Sequence, residues 1–440
     1  MGSPTVTSRS GELYERAQQV LPGGVSRNTV LRDPHPAYAD HGEGCRIVDL
    51  DGISRVDFSN NMCSLIHGHA DPDIVRAVSA QVARGTAFTM ATELEVLYAE
   101  HLCERVNSFE KLRFVNSGTE AVMVMLKAAR AFTGRPKVAK VEGAYHGGYD
   151  YAEVSQAPDP STWGSVDRPQ NVPLVHGTPR SAVEDVVILP FNDVDRALAI
   201  LEDYKDDLAC VLLDLMPHRV GLQLAEESFV KAIRDWTARN GALMVLDEVV
   251  TFRCEYGGLQ SRYDFTPDLS AIGKMIGGGF PIGALGGRAV VMDVLNPRAK
   301  KVLFPHSGTF SANPISMTAG LAAMRKFEPA AVTRLNGLAD RARQGIRDAI
   351  ERLGAKACLT GGGSMFRIHL KERVPLNYRE AFLDPAERSR LKQLLDHLFD
   401  EGFIMINTCS AALSTPMTEA DVDSLVHAVA SGLEKFGTAR

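Results

Sequence analysis

Two residues of this sequence, Asp247 and Lys274, have side chains suited to chemistry on an aldehyde cofactor. Asp247 ends an apolar stretch, and Lys274 follows 27 residues later, shortly before three consecutive glycines. A lysine amine can form a Schiff base with the aldehyde of pyridoxal 5′-phosphate (PLP), and a carboxylate can keep the pyridine nitrogen protonated so that the ring accepts electrons. The pair therefore predicts PLP chemistry.

The neighbours of these two residues argue against the simpler interpretation, in which both lie on the solvated surface. Ile272, Met275 and several glycines flank Lys274, and partial desolvation would make its amine a better nucleophile. The apolar stretch that ends at Asp247 is typical of a buried strand, and a buried carboxylate requires a cationic partner. A protonated pyridine nitrogen would be that partner, and Val249 could pack under the ring.

A second motif, Asn116 to Ala121, joins a predicted strand to a predicted helix. Free backbone N–H groups at a helix N-terminus, together with Gly118 and the hydroxyls of Ser117 and Thr119, can form a phosphate site. The alternative is an ordinary helix cap, in which one of these hydroxyls bonds to the first turn. The motif matches neither a Walker P-loop nor a dinucleotide fingerprint.

Two glycine-containing loops offer further contacts to a cofactor. In the loop at residues 143–148, the ring of Tyr145 could stack on a planar group, with His146 beside it. The alternative is a loop tyrosine next to a histidine that bonds within the protein. At residues 306–314, hydroxyls that include Thr309 could complete an anion site, although a plain turn before the following helix fits the same residues.

These motifs lie where short apolar strands alternate with helices. We predict helices at residues 120–132 and 229–239 and strands at residues 112–115, 137–141, 210–214 and 242–247. Such alternation indicates an α/β fold, with a mostly parallel sheet covered by helices on both faces. Ligands of such sheets bind at the carboxyl ends of strands, and Asp247 lies at one of these ends.

The flanking segments follow other patterns. Before the alternating region we predict a helix at residues 12–20, hairpin strands at 45–49 and 55–58, and helices at 72–83 and 93–106. After it, helices at 332–353, 386–401 and 419–436 with a strand at 365–370 indicate a smaller α+β domain. Residues 150–185 are polar and contain five prolines, which favours a lid that borders the site over a disordered loop. We therefore divide the chain into an N-terminal segment of the small domain (1–70), a large PLP-binding domain (71–328) and a C-terminal small domain (329–440).

Composition limits the classes of function. The 440 residues are 45% hydrophobic and 23% charged with a net charge of −6, which disfavours general binding to nucleic acid or to an anionic membrane. The seven cysteines are scattered, which is typical of reduced cytosolic thiols. Because the sequence has neither a long apolar run nor an apolar N-terminal signal, we expect a cytoplasmic protein. The segment His67-Gly68-His69 has no further ligands at metal-site spacing, so we expect no metal.

Taken together, these segments resemble the class III (subgroup II) PLP-dependent aminotransferases, and above all the branch that contains glutamate-1-semialdehyde 2,1-aminomutase and related β-amino-acid aminotransferases. The matching blocks run in the family's order over nearly the whole chain: Leu21 to Val25, Gly68 to Pro72, Asn116 to Ala121, Tyr145 to Gly147, Leu246 to Val249, Asp268 to Gly279 and Gly308 to Pro314. The resemblance implies a fold-type I transferase, with a large, mostly parallel sheet domain and a smaller α+β domain.

The resemblance also implies how the cofactor is held. Lys274 would carry the Schiff base, and Asp247 would pair with the pyridine nitrogen. The remaining cofactor contacts would come from Ser117, Gly118 and Thr119 at the phosphate, from Tyr145, His146 and Val249 around the ring, and from Thr309 of the neighbouring subunit. The implied protein is a homodimer whose active site lies at the subunit interface.

For the substrate, the resemblance points to the segment after Pro22-Gly23-Gly24. In the aminomutase and its relatives a basic residue there meets the substrate carboxylate, and Arg27, with Ser26 beside it, is the matching candidate. The alternative for Arg27 is a solvated loop arginine.

The sequence departs from the family at two places. The family usually has a Glu-Pro pair followed by small residues where this chain has a bulkier and more basic segment at 214–219, and we expect His218 or Arg219 to meet an acidic or oxygen-rich substrate. Aminomutases typically carry a glutamate in a segment that corresponds to residues 407–414, which contain no acid here. The second departure favours amino transfer between two molecules.

The sequence thus predicts a ping-pong aminotransferase that uses an amino acid donor and a keto acceptor. Freed from the cofactor, Lys274 would act as the general base. The unusual 214–219 segment suggests a cyclic or β-keto acid acceptor in a biosynthetic pathway. An isomerase of the aminomutase or racemase type is the alternative, and an inactive binding module is disfavoured because Lys274 and Asp247 are both present.

Overall fold

A computed structural model describes residues 8–437. Its fourteen strands, numbered along these residues, are β1 (Ala39–Glu43), β2 (Arg46–Asp49), β3 (Ser54–Asp57), β4 (Lys111–Val115), β5 (Lys137–Val141), β6 (Val186–Leu189), β7 (Leu208–Leu213), β8 (Leu243–Asp247), β9 (Leu269–Gly273), β10 (Gly283–Gly287), β11 (Cys358–Gly362), β12 (Met365–His369), β13 (Phe403–Ile404) and β14 (Ser410–Ala412).

The helices are α1 (Arg9–Ala17), α2 (Asn60–Cys63), α3 (Pro72–Val82), α4 (Glu93–Arg105), α5 (Gly118–Thr133), α6 (Asp150–Glu153), α7 (Arg180–Glu184), α8 (Val194–Glu202), α9 (Glu227–Asn240), α10 (Ala289–Met292), α11 (Pro314–Lys326), α12 (Pro329–Leu353), α13 (Tyr378–Ala381), α14 (Pro385–Asp400) and α15 (Glu419–Phe436).

The centre of the molecule is a seven-stranded sheet in the order β4-β10-β9-β8-β7-β5-β6. All its neighbours are parallel except β10, which runs antiparallel to both β4 and β9. Strand β7 shows why the sequence favours a sheet covered on both faces: Val211 and Leu213 pack into one apolar cluster, whereas Cys210 and Leu212 pack into the cluster that contains α5. The predicted α/β fold with a mostly parallel sheet is confirmed.

The strand β10, with the sequence Gly-Ala-Leu-Gly-Gly, is an element that the sequence pattern did not indicate. Glycine has little intrinsic preference for a strand, and in this one it marks close backbone approach. A Cβ atom at Gly283 would collide with the carbonyl oxygen of Ser117, and one at Gly287 would collide with that of Asp268. Gly283 therefore lets the strand lie tightly against the segment that leads into α5, and Gly287 lets it lie against the segment that leads into β9.

Two smaller sheets complete the fold. The hairpin β2–β3, predicted from its alternating residues, lies in a four-stranded sheet of order β1-β2-β3-β13, in which β13 runs parallel to β3. Strands β11, β12 and β14 form an antiparallel sheet. The N-terminal hairpin and a C-terminal strand therefore share one sheet, while the division at residues 70 and 328 stays a prediction.

The predicted helices agree with the structure to within a few residues, and α15 has the predicted bounds. The first helix lies three residues earlier than predicted, because the hydroxyl of Ser8 accepts a hydrogen bond from the Gly11 N–H and so starts the helix at Arg9. The segment 150–185 is held against α13, where the guanidinium of Arg379 donates to the carbonyls of residues 163–165. None of residues 150–185 lines the cavity described below.

Within residues 8–437, no helix has the length and apolar character needed to cross a lipid bilayer. The expectation that no secretory signal is present concerns residues 1–11, of which 1–7 lie outside the described part of the chain.

Candidate active site

A cavity of about 360 Å³ opens at the carboxyl edge of the central sheet. Segments that follow β4, β5, β7, β8 and β9 all contribute to its wall, as expected where parallel strands end together. Eight residues singled out from the sequence line this one cavity: Ser117, Gly118, Thr119, Tyr145, His146, Asp247, Val249 and Lys274.

Lys274 follows β9 directly and begins a single 3-10 turn, Lys274–Gly277. Its φ angle is +51°, a left-handed conformation that costs a non-glycine residue about 1–3 kcal/mol and that is retained mainly at functional sites. The preceding Gly273 packs closely, since a Cβ atom there would lie 3.3 Å from Val249 Cγ1. Within the described residues the Lys274 amine makes no hydrogen bond or ion pair, so it is free to react.

Asp247 ends β8, and its carboxylate is held from two sides. Oδ1 accepts a hydrogen bond from the Val249 N–H at 3.0 Å, and Oδ2 lies 2.8 Å from Nδ1 of His146. Both side chains are buried, and burial lowers the pKa of His146, which keeps the imidazole neutral. The carboxylate is therefore oriented by its neighbours but not neutralised, so it can still receive a cation.

His146 has one clear structural partner, the carboxylate of Asp247. Its second ring nitrogen, Nε2, is buried without a hydrogen-bond partner. A neutral imidazole that donates from Nδ1 leaves Nε2 unprotonated, which reduces the cost of that burial. His146 thus both contacts the carboxylate of Asp247 and lines the cavity.

The first turn of α5 also lines the cavity. Ser117 caps the helix, because its Oγ accepts a hydrogen bond from the Glu120 N–H at 3.1 Å. This is the helix-cap alternative of the sequence analysis, and it is compatible with anion binding because a hydroxyl can accept one hydrogen bond and donate another. Gly118 is required by packing, since a Cβ atom there would lie 2.6 Å from Val249 Cγ1.

These features fit PLP in both charge and shape. The N-terminus of a 16-residue helix supplies N–H donors and a positive dipole end for a phosphate. A buried carboxylate without a cation matches a protonated pyridine nitrogen, and a free amine matches the aldehyde. Tyr145 and Val249 both reach the same cavity, so a flat ring between them is sterically reasonable.

Asp214 is a cavity residue to which sequence reasoning gave no role of its own. It follows β7, and one of its oxygens accepts a hydrogen bond from the Met216 N–H at 2.9 Å. Burial and the nearby charge of Asp247 raise the pKa of Asp214 well above its usual range. The available signal was an acid at the end of the strand next to β8. Asn61, Ser64, Val250 and Phe280 also line the cavity without having been predicted.

Arg27 and Ser26 lie at the rim. Both are exposed, and neither belongs to the cavity wall. Arg27 is nevertheless connected to it, because its Nη1 donates to Oδ1 of the cavity residue Asn61 at 2.6 Å.

Thr309 is exposed and does not line the cavity formed by its own chain. The assignment of this residue to the site of a neighbouring subunit stays a prediction.

His218 and Arg219 lie in the 3-10 turn His218–Val220, beyond the cavity wall. Nε2 of His218 lies 2.9 Å from Oγ1 of Thr408, and burial, together with the positive charges of Arg367 and Lys274, lowers the pKa of His218 to about 3. Because the charge of Lys274 acts on the pKa of His218, this turn must lie near the cavity.

The histidines of the segment 67–69 bond within the protein. His67 contacts Oγ1 of Thr415 and the carbonyl oxygen of Ala323, and His69 pairs with Asp57. Among the described residues no group of three or more metal-ligating side chains converges.

Comparison with known proteins gives consistent matches. A family model described as aminotransferase class-III matches residues 29–426. The chain is 38% identical over 374 residues to glutamate-1-semialdehyde 2,1-aminomutase of Methanothermobacter thermautotrophicus, a match that covers 85% of this chain and 86% of the relative. An omega-transaminase from Sphaerobacter thermophilus superposes with a TM-score of 0.95 at 46% identity over 98% of each chain. A transaminase with PLP bound superposes with a TM-score of 0.90 at 39% identity, over 99% of this chain and 100% of the other.

Proposed function

Because the chain belongs to the class-III aminotransferase family, we propose that it moves an amino group between two molecules, from an amino acid donor to a keto acceptor, by a ping-pong mechanism. It is a PLP-dependent enzyme of fold type I, as the sequence predicted. The observation that carries the finer proposal is the free amine of Lys274 in the same cavity as the buried carboxylate of Asp247.

Each residue has a distinct task in the proposed reaction. When bound, PLP supplies an electron sink for the charge that develops at the substrate Cα. The Nζ of Lys274 would hold the cofactor covalently between turnovers and, as a free amine, would take the proton from the substrate Cα. Asp247 retains the proton on the pyridine nitrogen, and His146 keeps that carboxylate in position.

The remaining residues bind and orient. Ser117, Gly118 and Thr119 hold the phosphate, and Tyr145 and Val249 fix the plane of the ring. At the rim, Arg27 with Ser26 receives the substrate carboxylate. His218 and Arg219 extend the substrate site toward an acidic or oxygen-rich group, and the acceptor in this proposal is a cyclic or β-keto acid of a biosynthetic pathway.

Transfer between molecules is preferred to an aminomutase reaction for two reasons. Residues 407–414 contain no acid, and their strand β14 is paired in a sheet with β12. The omega-transaminase is also more similar in sequence than the aminomutase, at 46% against 38% identity. The aminomutase reaction stays the second candidate because of that 38% match over 85% of the chain.

We further propose that the protein is a homodimer with the active site at the subunit interface, which the exposed position of Thr309 supports. We also propose that it is located in the cytoplasm, which the seven free cysteines support.

The test separates the two candidate reactions. The purified holoenzyme is incubated with single amino acid donors in the absence of any acceptor, and keto product is quantified by mass spectrometry. An aminotransferase releases about one equivalent of keto acid per active site and then stops until an acceptor is added. An aminomutase instead converts its substrate without releasing keto acid, which would contradict the proposal.

Lys274→Ala tests the assignment of the nucleophile, with Lys205→Ala as a control because that lysine is exposed and paired with Glu202. Activity should fall at least about 10³-fold only in the first variant, since it loses both nucleophile and base. Borohydride reduction followed by peptide mass mapping should place the cofactor on Lys274, and its appearance on another lysine would refute the assignment.

A further inference from the structure

Arg367 is a buried guanidinium without an acid. It lies on β12, is 5% exposed, and its Nη1 donates to the carbonyl oxygen of His218 at 3.1 Å. Its Nε is buried with no hydrogen-bond partner. The charged or ionisable groups that act on it are the thiols of Cys409 and Cys358 and the guanidinium of Arg219, and no carboxylate is among them.

Arg219 is half-buried and also lacks an acidic partner among the described residues. It lies next to the hydroxyl of Tyr378 and makes no ion pair with an acid of residues 8–437. Glu142, an acid that like Arg219 acts on Tyr378, is bound by the guanidinium of Arg379 through bonds of 2.8 and 2.9 Å. Two like charges thus lie in mutual electrostatic range with no counter-charge from the protein.

Such an arrangement is unfavourable in the absence of an anion. Buried charges in proteins are normally paired, and like charges repel more strongly where water is excluded. Burial lowers the pKa of Arg367 to about 10, so the side chain is still charged at neutral pH. A bound anion would satisfy the free Nε and neutralise the repulsion, and a guanidinium is well suited to a carboxylate.

The pair lies beside the active-site cavity rather than in an unrelated part of the fold. His218 follows Asp214, in the cavity wall, by only four residues, and the charge of Lys274 acts on the His218 ring. The hydroxyl of Thr408, which contacts this ring, lies 2.9 Å from the hydroxyl of the buried Ser410.

We propose that Arg219 and Arg367 bind the distal carboxylate of a dicarboxylic substrate whose other end reacts at Lys274. This inference rests on the proposed aminotransferase function and names its substrate class. Arg27 at the rim would then meet the carboxylate next to the reacting carbon, and the two arginines would recognise the far end. Arg367 is a specificity residue that the sequence analysis did not single out.

The test compares probes of equal length that differ only in the distal group. Glutarate and valerate lack an amine and do not react, so their binding to the holoenzyme can be measured by calorimetry. We expect glutarate to bind at least about tenfold more tightly than valerate, and this preference to be lost in Arg367→Met and Arg219→Met. Arg168→Met is the matched control, because Arg168 is exposed and paired with Asp203; it should keep the preference.

Turnover gives a second readout. The ratio of kcat/KM for 2-oxoglutarate over that for 2-oxopentanoate should fall at least about tenfold in both variants, mainly through KM for the diacid. If Arg367→Met does not fold, Arg367→Lys, which keeps the charge but loses the planar fork, should lower the ratio to an intermediate value.

The outcomes distinguish this inference from the proposed function. Equal affinities for glutarate in the wild type and in both methionine variants would overturn the anion site. If glutarate binding depends on the two arginines but no donor yields a free keto acid, the anion site stands and the aminotransferase proposal fails. If keto acid is released but the wild type does not prefer the diacid, the aminotransferase proposal stands and the anion site is overturned.

Discussion

The carboxylate of Asp247 and the imidazole of His146 form a buried pair, with 2.8 Å between Oδ2 and Nδ1. The two residues come from the ends of different segments, one directly after β8 and the other in the loop after β5. The acid proposed to hold the pyridine proton is therefore itself held by a neutral ring that leaves its charge intact. Cofactor affinity should depend on this hidden contact as well as on the residues that touch the cofactor.

The first prediction concerns His146. His146→Ala should weaken PLP binding about tenfold or more, because Asp247 loses a hydrogen bond to a charged acceptor in a buried site. His146→Asn places an amide donor close to the position of Nδ1 and should restore much of the affinity. Fluorescence titration of the apoprotein with PLP measures both. Equal affinities in alanine and asparagine variants would mean that the ring contributes only volume.

The second prediction uses pH. Glu248 is fully buried, and burial raises its pKa to about 8, against a reference value of 4.5. Between these values the unfolded chain releases a proton that the folded protein keeps, so the free energy of unfolding falls as pH rises from about 4.5 to 8, by on the order of a few kcal/mol.

Glu248→Gln removes that titration while it can still accept the hydrogen bond from the Gln260 N–H, which is 2.6 Å long in the wild type. Chemical denaturation of the apoprotein should show the variant gaining stability over the wild type as pH increases. Glu184→Gln, at an exposed acid paired with Arg180, serves as the control and should show no such trend. A difference that is constant from pH 5 to pH 8 would contradict the buried, protonated state.

The third prediction tests whether Thr309 serves the neighbouring subunit. Thr309→Glu should abolish PLP binding by placing a carboxylate against the phosphate, while Thr333→Val, on the exposed surface of α12, should not. Lys274→Ala is also inactive. If each site combines Lys274 of one subunit with Thr309 of the other, mixed dimers of the two inactive variants contain one intact site.

Random subunit exchange should then recover about a quarter of the wild-type activity, since half of the dimers are mixed and each has one good site of two. Size-exclusion chromatography with tagged subunits verifies the exchange. An active Thr309→Glu variant would place Thr309 outside the phosphate site, and mixed dimers of two inactive variants without recovered activity would place it in the site of its own chain.

The fourth prediction concerns the rim. Arg27→Met should raise KM for the amino acid donor at least about tenfold with a smaller effect on kcat, because a carboxylate contact made in both the ground and transition states is lost. Arg16→Met, at an exposed position of α1, should leave both constants unchanged. A fall in kcat at constant KM would instead indicate that Arg27 orients the substrate during the chemical step.

Much of the site could be predicted because strand ends and helix starts leave strong local patterns. The apolar run that forms β8 identified Asp247 as a strand-end residue, and the polar residues before α5 indicated an anion site. In a parallel sheet these ends meet at one edge, so residues far apart in sequence were expected to face one ligand, and they line one cavity in the structure. Most helix bounds also followed, since periodicity and capping residues act within a few residues of chain.

What could not be predicted depends on contacts between distant segments. The glycines of β10 form a strand only because the backbone of Ser117 and Asp268 lies against them. Arg367 stands between Phe366 and Ile368 in the sequence, and its missing counter-charge becomes visible only when the surrounding side chains are placed. Asp214 likewise belongs to the site because it lies close to Asp247 in the structure. Along the chain, a whole helix separates the two residues.

The pairing of β3 with β13 has a consequence for how this protein is made. Val56 lies opposite Phe403, so the edge of the hairpin finds its partner only after almost all of the polypeptide has left the ribosome. Until then the hairpin presents unpaired backbone groups, and a sheet closed over so long a span forms slowly. Nascent or C-terminally truncated chains should therefore be the aggregation-prone form, and chaperone demand should peak late in synthesis.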